Sequence, residues 1–389
     1  MNKPIHITVV TGSRAEYGLM RSVILEMKEA KDFKLSIIVT GTHLEKEFGF
    51  TVKEIEEDGL DIDARIKIIT SDDTGFGAAK AMGKVISGVS EELEKYRPDY
   101  VMLLGDRYEI LAAAQTALIM LIPIIHFSGG DITEGAFDDS IRHAITKMSS
   151  VHFVASAEAG QRVEQLGEES ERVHVVGDPG LDILRQKPLI EREELEDDLG
   201  FKFKKRNFLI TFHPTTLDLR PSRDQFSELL DALSLFRDTK LIFTRPNVDP
   251  EGRELLSMML DFVNNNSNAL EFPSLGHHRY LSLMNQVDVV IGNSSSGLLE
   301  APSLEKPTVN IGLRQSGRLQ SDSVVNCMAN SEDILLAINN ALDIDCRGIK
   351  NPYGDGKTAP RVLKILRDIN NPRKLLKKSF RDFPEKRSE

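Results

Sequence analysis

Val101–Ser140 reads VMLLGDRYEILAAAQTALIMLIPIIHFSGGDITEGAFDDS. Two continuous apolar runs, 101–104 and 122–125, break off into Gly105-Asp106-Arg107 and into His126-Phe127-Ser128-Gly129-Gly130-Asp131, and a helical run lies between them. Short apolar runs that end in turn signals and alternate with helices are the pattern of strands buried on both faces of a parallel sheet. Open parallel sheets bind ligands outside the carboxyl ends of their strands. The groups that end these two runs therefore belong to a binding edge, and Asp138-Asp139 follow within a few residues. Asp106, Asp131, Asp138 and Asp139 are thus the candidate reactive carboxylates. Each has a plainer reading. Asp106 can cap the helix beginning near Tyr108, Arg107 can pair with Glu109 instead of a phosphate, and Asp131 can be a loop residue after two permissive glycines. Asp138 and Asp139, being adjacent, are not expected to face one spot; one of them caps the next helix. Carboxylates crowded into one site separate their pKa values and can divide acid and base work, which single acidic residues cannot.

The same grammar continues on both sides of this stretch. HITVVTG (6–12), KLSIIVTG (34–41), VHFVAS (151–156) and VHVVGDP (173–179) read as strands, with helices at 76–96 and 141–149. A composition shift at 185–206, RQKPLIEREELEDDLGFKFKKR, marks an expected connection between domains. Beyond it strands are expected at 207–212, 240–244, 287–292, 307–312 and 323–326, and helices at 223–237, 251–264, 277–286, 295–304 and 331–342. The expected organisation is an N-terminal Rossmann-like domain (1–185), a C-terminal one (186–356), and a helix crossing back to the first domain with a basic, loosely ordered tail (357–389).

Bulk properties narrow the function. The net charge of −11 argues against a nucleic-acid surface, so an anionic ligand needs a local basic patch. Two cysteines, Cys327 and Cys346, are too few for a disulfide framework or a thiolate metal site. MNKPIHITVV lacks the pattern of a signal peptide. No apolar run reaches the roughly 20 residues of a membrane span. No histidine–carboxylate spacing demands a metal, and none is expected. A reducing cytoplasm is the simplest compartment.

Basic and hydroxyl groups cluster at other strand ends. Gly12-Ser13-Arg14 turns into a helix and can hold phosphate. His213 follows a strand in TFHPTT; it can touch a diphosphate or shuttle a proton, although a lone histidine is more often structural. His126 is expected to position its loop. Gly292-Asn293-Ser294-Ser295-Ser296-Gly297 is the strongest phosphate signal, weighed evenly against an N-capped helix after a flexible turn. Glu300 can accept from ribose hydroxyls, and Arg314 and Arg318 add positive charge.

These motifs together carry a resemblance. TGSRAEYG (11–18), LLGDRYEI (103–110), GGD (129–131), DDSIRHAITKMS (138–149), FHPTT (212–216), IGNSSSGLLEAPSL (291–304), IGLRQSGR (311–318) and NPYGDG (351–356) resemble, in order and nearly end to end, the hydrolysing UDP-N-acetylglucosamine 2-epimerases. The resemblance implies a GT-B-like α/β fold, two Rossmann-like domains with an interdomain cleft. It implies conversion of UDP-N-acetylglucosamine and water to N-acetylmannosamine and UDP, for sialic acid biosynthesis. The steps are C2 proton abstraction, anti elimination of UDP and hydration of a glycal. It places Asp106, Asp131, Asp138, Asp139 and His213 in catalysis. Arg14, Arg107, Arg245, Asn247, Ser294, Ser295, Ser296, Glu300, Arg314 and Arg318 would bind the UDP-sugar. It implies no cofactor, and a homodimer or homotetramer, for which the helix at 76–96 offers an apolar surface. Ser128 and Asp131 stand where the family has Glu or His and Glu; serine is a poor base. Those departures leave room for UDP-2,4-diacetamido-2,4,6-trideoxy-glucose as the substrate. A non-hydrolysing epimerase, a glycosyltransferase and a nucleotide-sugar sensor are the competing readings.

Overall fold

The computed structural model describes residues 3–46, 49–68, 74–132, 138–215, 220–246, 251–273 and 275–382. Two compact units form: the chain up to Asp182 together with the chain from Gly354 onward, and Ile183–Tyr353. The first holds β1 (Ile5–Thr11), β2 (Phe33–Val39), β3 (Ala64–Arg65), β4 (Tyr100–Leu104), β5 (Ile124–Phe127), β6 (Val151–Val154) and β7 (Val173–Val175). These make one sheet in the order β3-β2-β1-β4-β5-β6-β7, and every pairing is parallel. The second holds β8 (Arg206–Thr211), β9 (Thr239–Thr244), β10 (Ala269–Phe272), β11 (Val289–Gly292), β12 (Thr308–Ile311) and β13 (Val324–Cys327). Their order, β10-β9-β8-β11-β12-β13, is again all parallel. Both sheets reverse their strand order beside the first strand, at β1/β4 and at β8/β11. A doubly wound sheet opens its ligand crevice at that reversal.

Central strands are apolar throughout because helices cover both faces. Tyr100, Val101, Met102 and Leu103 are fully buried, and alternate residues enter two different clusters, Met102 with Ile7 and Tyr17, Val101 with Val85 and Ala113. The helix Gly75–Tyr96 starts at Thr74, whose hydroxyl accepts from the Gly77 N–H, and buries Ala81, Val85, Val89 and Leu93 along one stripe. The short edge strands β3 and β10 were not among the expected ones.

The charged 185–206 segment, expected as a partly helical connection, follows the boundary between the units at Asp182. It forms the helix Arg192–Leu199, and Leu195 is fully buried with Leu209, Ile242 and Val290 in the second unit. The described part of the tail, 372–382, is docked rather than loose. Arg172 donates to the carbonyls of Leu375 (2.6 Å) and Lys377 (2.8 Å). The Lys378 ammonium reaches Glu168 (2.6 Å) and the carbonyls of Lys147 (2.8 Å) and Ser149 (2.7 Å). Glu168 is completely buried and also receives Lys147 (2.6 Å) and His152 (3.0 Å). These donors outweigh its burial and hold its carboxyl at about 2. The helix Thr358–Asp368 belongs to the first unit, with Val362, Leu363 and Leu366 in the same cluster as Ile7 and Met20.

Candidate active site

In the first unit the carboxylates gather around a residue that the sequence reading left out. Arg142, on the helix Asp138–Met148, is 4% exposed. Its guanidinium donates to Asp106 Oδ2, to Asp139 Oδ1 (2.5 Å) and to the Asp131 carbonyl (2.7 Å). Asp106 ends β4 and Asp131 ends the loop after β5, so one cation ties two strand-end loops to one helix. Asp106 is therefore not the cap of the helix Tyr108–Ile119; Arg107 occupies that position without a side-chain bond. Asp138 and Asp139 both lie in the first turn of their helix. Asp139 shares Arg142 with Asp106, while the Asp138 carboxyl is pushed up by burial and then by the nearby Asp106 charge. Asp138 thus lies close enough to Asp106 to feel its charge.

The loop frame is tightly held. Ser128 takes φ 62° and Gly130 φ 78°. A Cβ on Gly130 would lie 2.1 Å from the Ala159 carbonyl oxygen, so only glycine fits there. Arg162 donates to the Gly130 carbonyl at 3.0 Å. The His126 ring bridges the Gly105 carbonyl (2.9 Å) and the Thr146 hydroxyl (3.4 Å), and full burial lowers its pKa to about 3. It is a neutral spacer that sets the distance between the ends of β4 and β5.

Arg107 turns its Nε inward to Glu109 Oε1 at 2.6 Å while its side chain stays 41% exposed. Arg14, expected to face phosphate, is mostly exposed and paired with Glu54 at 3.0 Å.

In the second unit Asn293 is the organiser, fully buried at the end of β11. Its side chain accepts from the His213 N–H (2.7 Å) and donates to the His213 carbonyl (2.8 Å). Its own carbonyl receives Arg314 (3.1 Å) and Gln315 (2.8 Å). The loops after β8, β11 and β12 are thereby joined at the strand reversal, bringing His213, Ser294 and Arg314 together. Ser294 Oγ accepts from the Ser296 hydroxyl (3.1 Å), and Ser296 Oγ meets the Tyr280 hydroxyl (2.8 Å). Ser295 uses its carbonyl for the N–H groups of Leu298 and Leu299, both at 2.9 Å. Glu300 lies 3.6 Å from His277, and its Oε2 is buried without a hydrogen-bond partner among the described residues. Arg318 is exposed. Arg245 does not stand open as expected but forms a two-bond pair with Glu271 (2.9 and 2.7 Å). Asn247 lies outside the described residues. No group of metal-ligating side chains occurs among the described residues.

Gly292 permits this junction. Its φ is 138°, and a Cβ would come within 1.9 Å of the Thr211 carbonyl oxygen. Gly292→Ala is expected to cost about 2–3 kcal/mol, from the strained backbone and the clash. Urea unfolding of the variant measures it; a loss below about 0.5 kcal/mol would mean that the turn relaxes freely.

The sequence reading singled out neither Arg142 nor Asn293. Arg142 stands three residues after Asp139, a spacing at which helical side chains pair. Asn293 lies inside the serine-rich motif but was read only as its neighbour.

Comparison with known proteins gives the family. A profile of the UDP-N-acetylglucosamine 2-epimerase family matches residues 25–367. The chain is 40% identical over 328 residues to the Campylobacter jejuni protein named GDP/UDP-N,N'-diacetylbacillosamine 2-epimerase (hydrolyzing), covering 84% of this chain and 85% of that one. It is 34% identical to the Escherichia coli polysialic acid biosynthesis protein P7 across 97% of this chain and 98% of that one. The crystal structure of the Neisseria meningitidis UDP-GlcNAc 2-epimerase bound to UDP-GlcNAc superposes with a TM-score of 0.74 at 19% identity, covering 94% of this chain and 100% of that one. That likeness bears out the expected GT-B-like α/β fold class. The family profile spans both units, and the chain belongs to the UDP-N-acetylglucosamine 2-epimerase family.

Proposed function

We propose that this protein is a hydrolysing 2-epimerase of a UDP-linked 2-acetamido hexose, with UDP-N-acetylglucosamine as substrate and N-acetylmannosamine and UDP as products. The observation that carries the reading is the Arg142-centred carboxylate cluster, supported by the family membership. In this reading a carboxylate, Asp106, takes the C2 proton. The C1–O bond then breaks, its electron pair leaves with UDP, and a C1–C2 double bond remains. Water adds to that glycal, placing hydroxyl on C1 and a proton on the opposite face of C2. Asp138, pushed toward its protonated form, supplies a proton. Ser128 has no basic group and serves the loop's backbone. In the second unit His213, Ser294, Ser295, Ser296, Arg314 and Arg318 hold the diphosphate, whose departure needs fixed positive charge and hydrogen-bond donors. Glu300, with its unpartnered oxygen, takes the ribose hydroxyls. Arg107 offers its exposed fork to an anionic group.

A second reading keeps the reaction and changes the sugar to a UDP-linked 2,4-diacetamido-trideoxy hexose. The 40%-identical relative named for diacetylbacillosamine favours it, as do Ser128 and Asp131. The place of action would be the cytoplasm and the assembly a homodimer or homotetramer, which sedimentation of the purified protein tests.

Proton NMR in deuterated water, with each UDP-sugar in turn, tests the function. Free UDP and a 2-epimerised sugar carrying deuterium at C2 is the expected result, and the faster substrate identifies the sugar. A deuterated product still linked to UDP would replace hydrolysis with simple epimerisation. No turnover of either sugar would overturn the proposal.

A further inference from the structure

Beneath the strand reversal of the first unit lies a pair of buried carboxyls that the mechanism above does not use. Glu16, on the helix Arg14–Glu29, is 4% exposed, and Glu109, on the helix Tyr108–Ile119, is 0% exposed. Gly12 and Gly41 enclose them: a Cβ on Gly12 would lie 2.6 Å from Glu109 Cγ, and one on Gly41 3.0 Å from Glu109 Oε1. Glu16 Oε2 accepts from the Gly12 N–H at 2.7 Å, and Glu109 Oε1 accepts from Arg107 Nε at 2.6 Å. Each carboxyl keeps one buried oxygen, Glu16 Oε1 and Glu109 Oε2, with no hydrogen-bond partner among the described residues. Two ionised carboxylates enclosed this way would face one guanidinium, and a buried charge without a partner is costly. One proton removes the imbalance and lets an orphan oxygen donate rather than repel.

We propose that Glu16 and Glu109 hold one proton between them, and that this singly charged pair positions Arg107, its Nε bound inward and its exposed outer fork presented to an anionic group. The inference rests on the reading of Arg107 as an anion contact. Glu16 and Glu109 are positioning residues; neither touches substrate. Burial first, and the Glu109 charge second, raise the Glu16 carboxyl to about 8, against the weaker opposing pulls of Gly12 and Arg107. The other titratable group packed against this turn is His43. It bonds the Thr11 hydroxyl at 3.1 Å and the Thr51 hydroxyl at 2.8 Å, and burial lowers it to about 4, so it stays neutral through the relevant range. Arg14 and Glu54 pair with each other at the exposed start of the same helix. With the proton present, Glu16, Glu109 and Arg107 sum to zero. Once it leaves, the trio carries a negative charge next to an incoming anionic group.

Calorimetric titration of the full protein with UDP from pH 6.5 to 9.5, for wild type, Glu16→Gln and Glu109→Gln, reads the consequence. Wild-type affinity is expected to fall about tenfold as the shared proton leaves, the scale of one unit of differential interaction. In Glu16→Gln that alkaline fall should be absent, because the amide cannot ionise. In Glu109→Gln affinity should drop at every pH, because Arg107 loses its inward anchor. An alkaline fall retained in Glu16→Gln, or equal losses in both variants at every pH, would overturn the proposal. Urea unfolding against pH gives a readout independent of substrate. A carboxyl raised in the folded state makes wild-type stability fall as pH climbs from about 4.5, where the unfolded chain releases its proton, to about 8, where the folded chain does. The Glu16→Gln midpoint should therefore gain on wild type across that interval and level off above it. Parallel curves would remove the shared proton. If wild type binds no UDP while the curves diverge as described, the proton stands and it is the function reading, with Arg107's part in it, that fails.

Discussion

Replacing Arg142 with methionine is expected to lower folding stability by about 3–5 kcal/mol at neutral pH and to leave no measurable turnover. Methionine can follow the course of the arginine stem, so the loss comes from charge rather than volume. Asp106 and Asp139 would keep their places without the cation that both now contact, and the Asp131 carbonyl would lose its donor. Removing one partner of a buried pair strands the other, the circumstance in which such pairs cost most. Urea titration at pH 7 checks the size. Arg142→Lys should recover part of the stability, since an ammonium cannot span two carboxylates and a carbonyl as the planar fork does. A methionine variant within about 1 kcal/mol of wild type would mean that Arg142 is not the centre of the cluster.

Asp106→Asn should leave the fold in place and reduce turnover by about 10²–10⁴-fold, the range for loss of a positioned acid–base group. The amide keeps the volume of the carboxyl but cannot accept the C2 proton. A further effect distinguishes this change from general damage. Asp138 is pushed up by burial and then by the Asp106 charge. Removing that charge leaves burial and the weaker push of Asp139 against the pull of Arg142 and Arg107, so the acidic partner in the residual activity should titrate at lower pH. The pH–rate profile of the variant should therefore shift downward on its acidic partner's limb, while UDP affinity, read by calorimetry, changes less than about twofold. Full turnover in Asp106→Asn would move the proton abstraction elsewhere in the cluster.

The framework of both sheets was legible because parallel strands covered on both faces write themselves as short continuous apolar runs closed by glycine. β1, β4 and β11 follow that rule. β3 and β10 escape it for a physical reason: an edge strand is covered less, so Ala64-Arg65 and Ala-Leu-Glu-Phe at 269–272 carry too few buried positions to show a period. The carboxylates were legible by type and by their position at strand ends. Arg142 was not, because a buried arginine in an amphipathic helix has the same letter as one facing water. Glu16 and Glu109 were hidden likewise, since their burial comes from two glycines far apart in sequence. Lys378 shows the same limit in the tail: a basic run reads as solvated, while the folded chain closes Glu168 over one of its ammonium groups.

The first unit is also the last to be finished. Its core includes Val362, Leu363 and Leu366, beside Ile7 and Met20 from the opening of the chain. On a ribosome adding about 5–20 residues per second, roughly 10–40 s separate Asp182 from the helix that completes this core. During that interval the whole of the second unit, one uninterrupted run from Ile183 to Tyr353, is made and is free to fold. The earlier segment waits with an apolar face open where the helix will dock. The second unit, begun after the first, can thus be completed before it. Slowing translation past Tyr353 should lengthen that exposure and lower the yield of active protein, with no change in the product once folded.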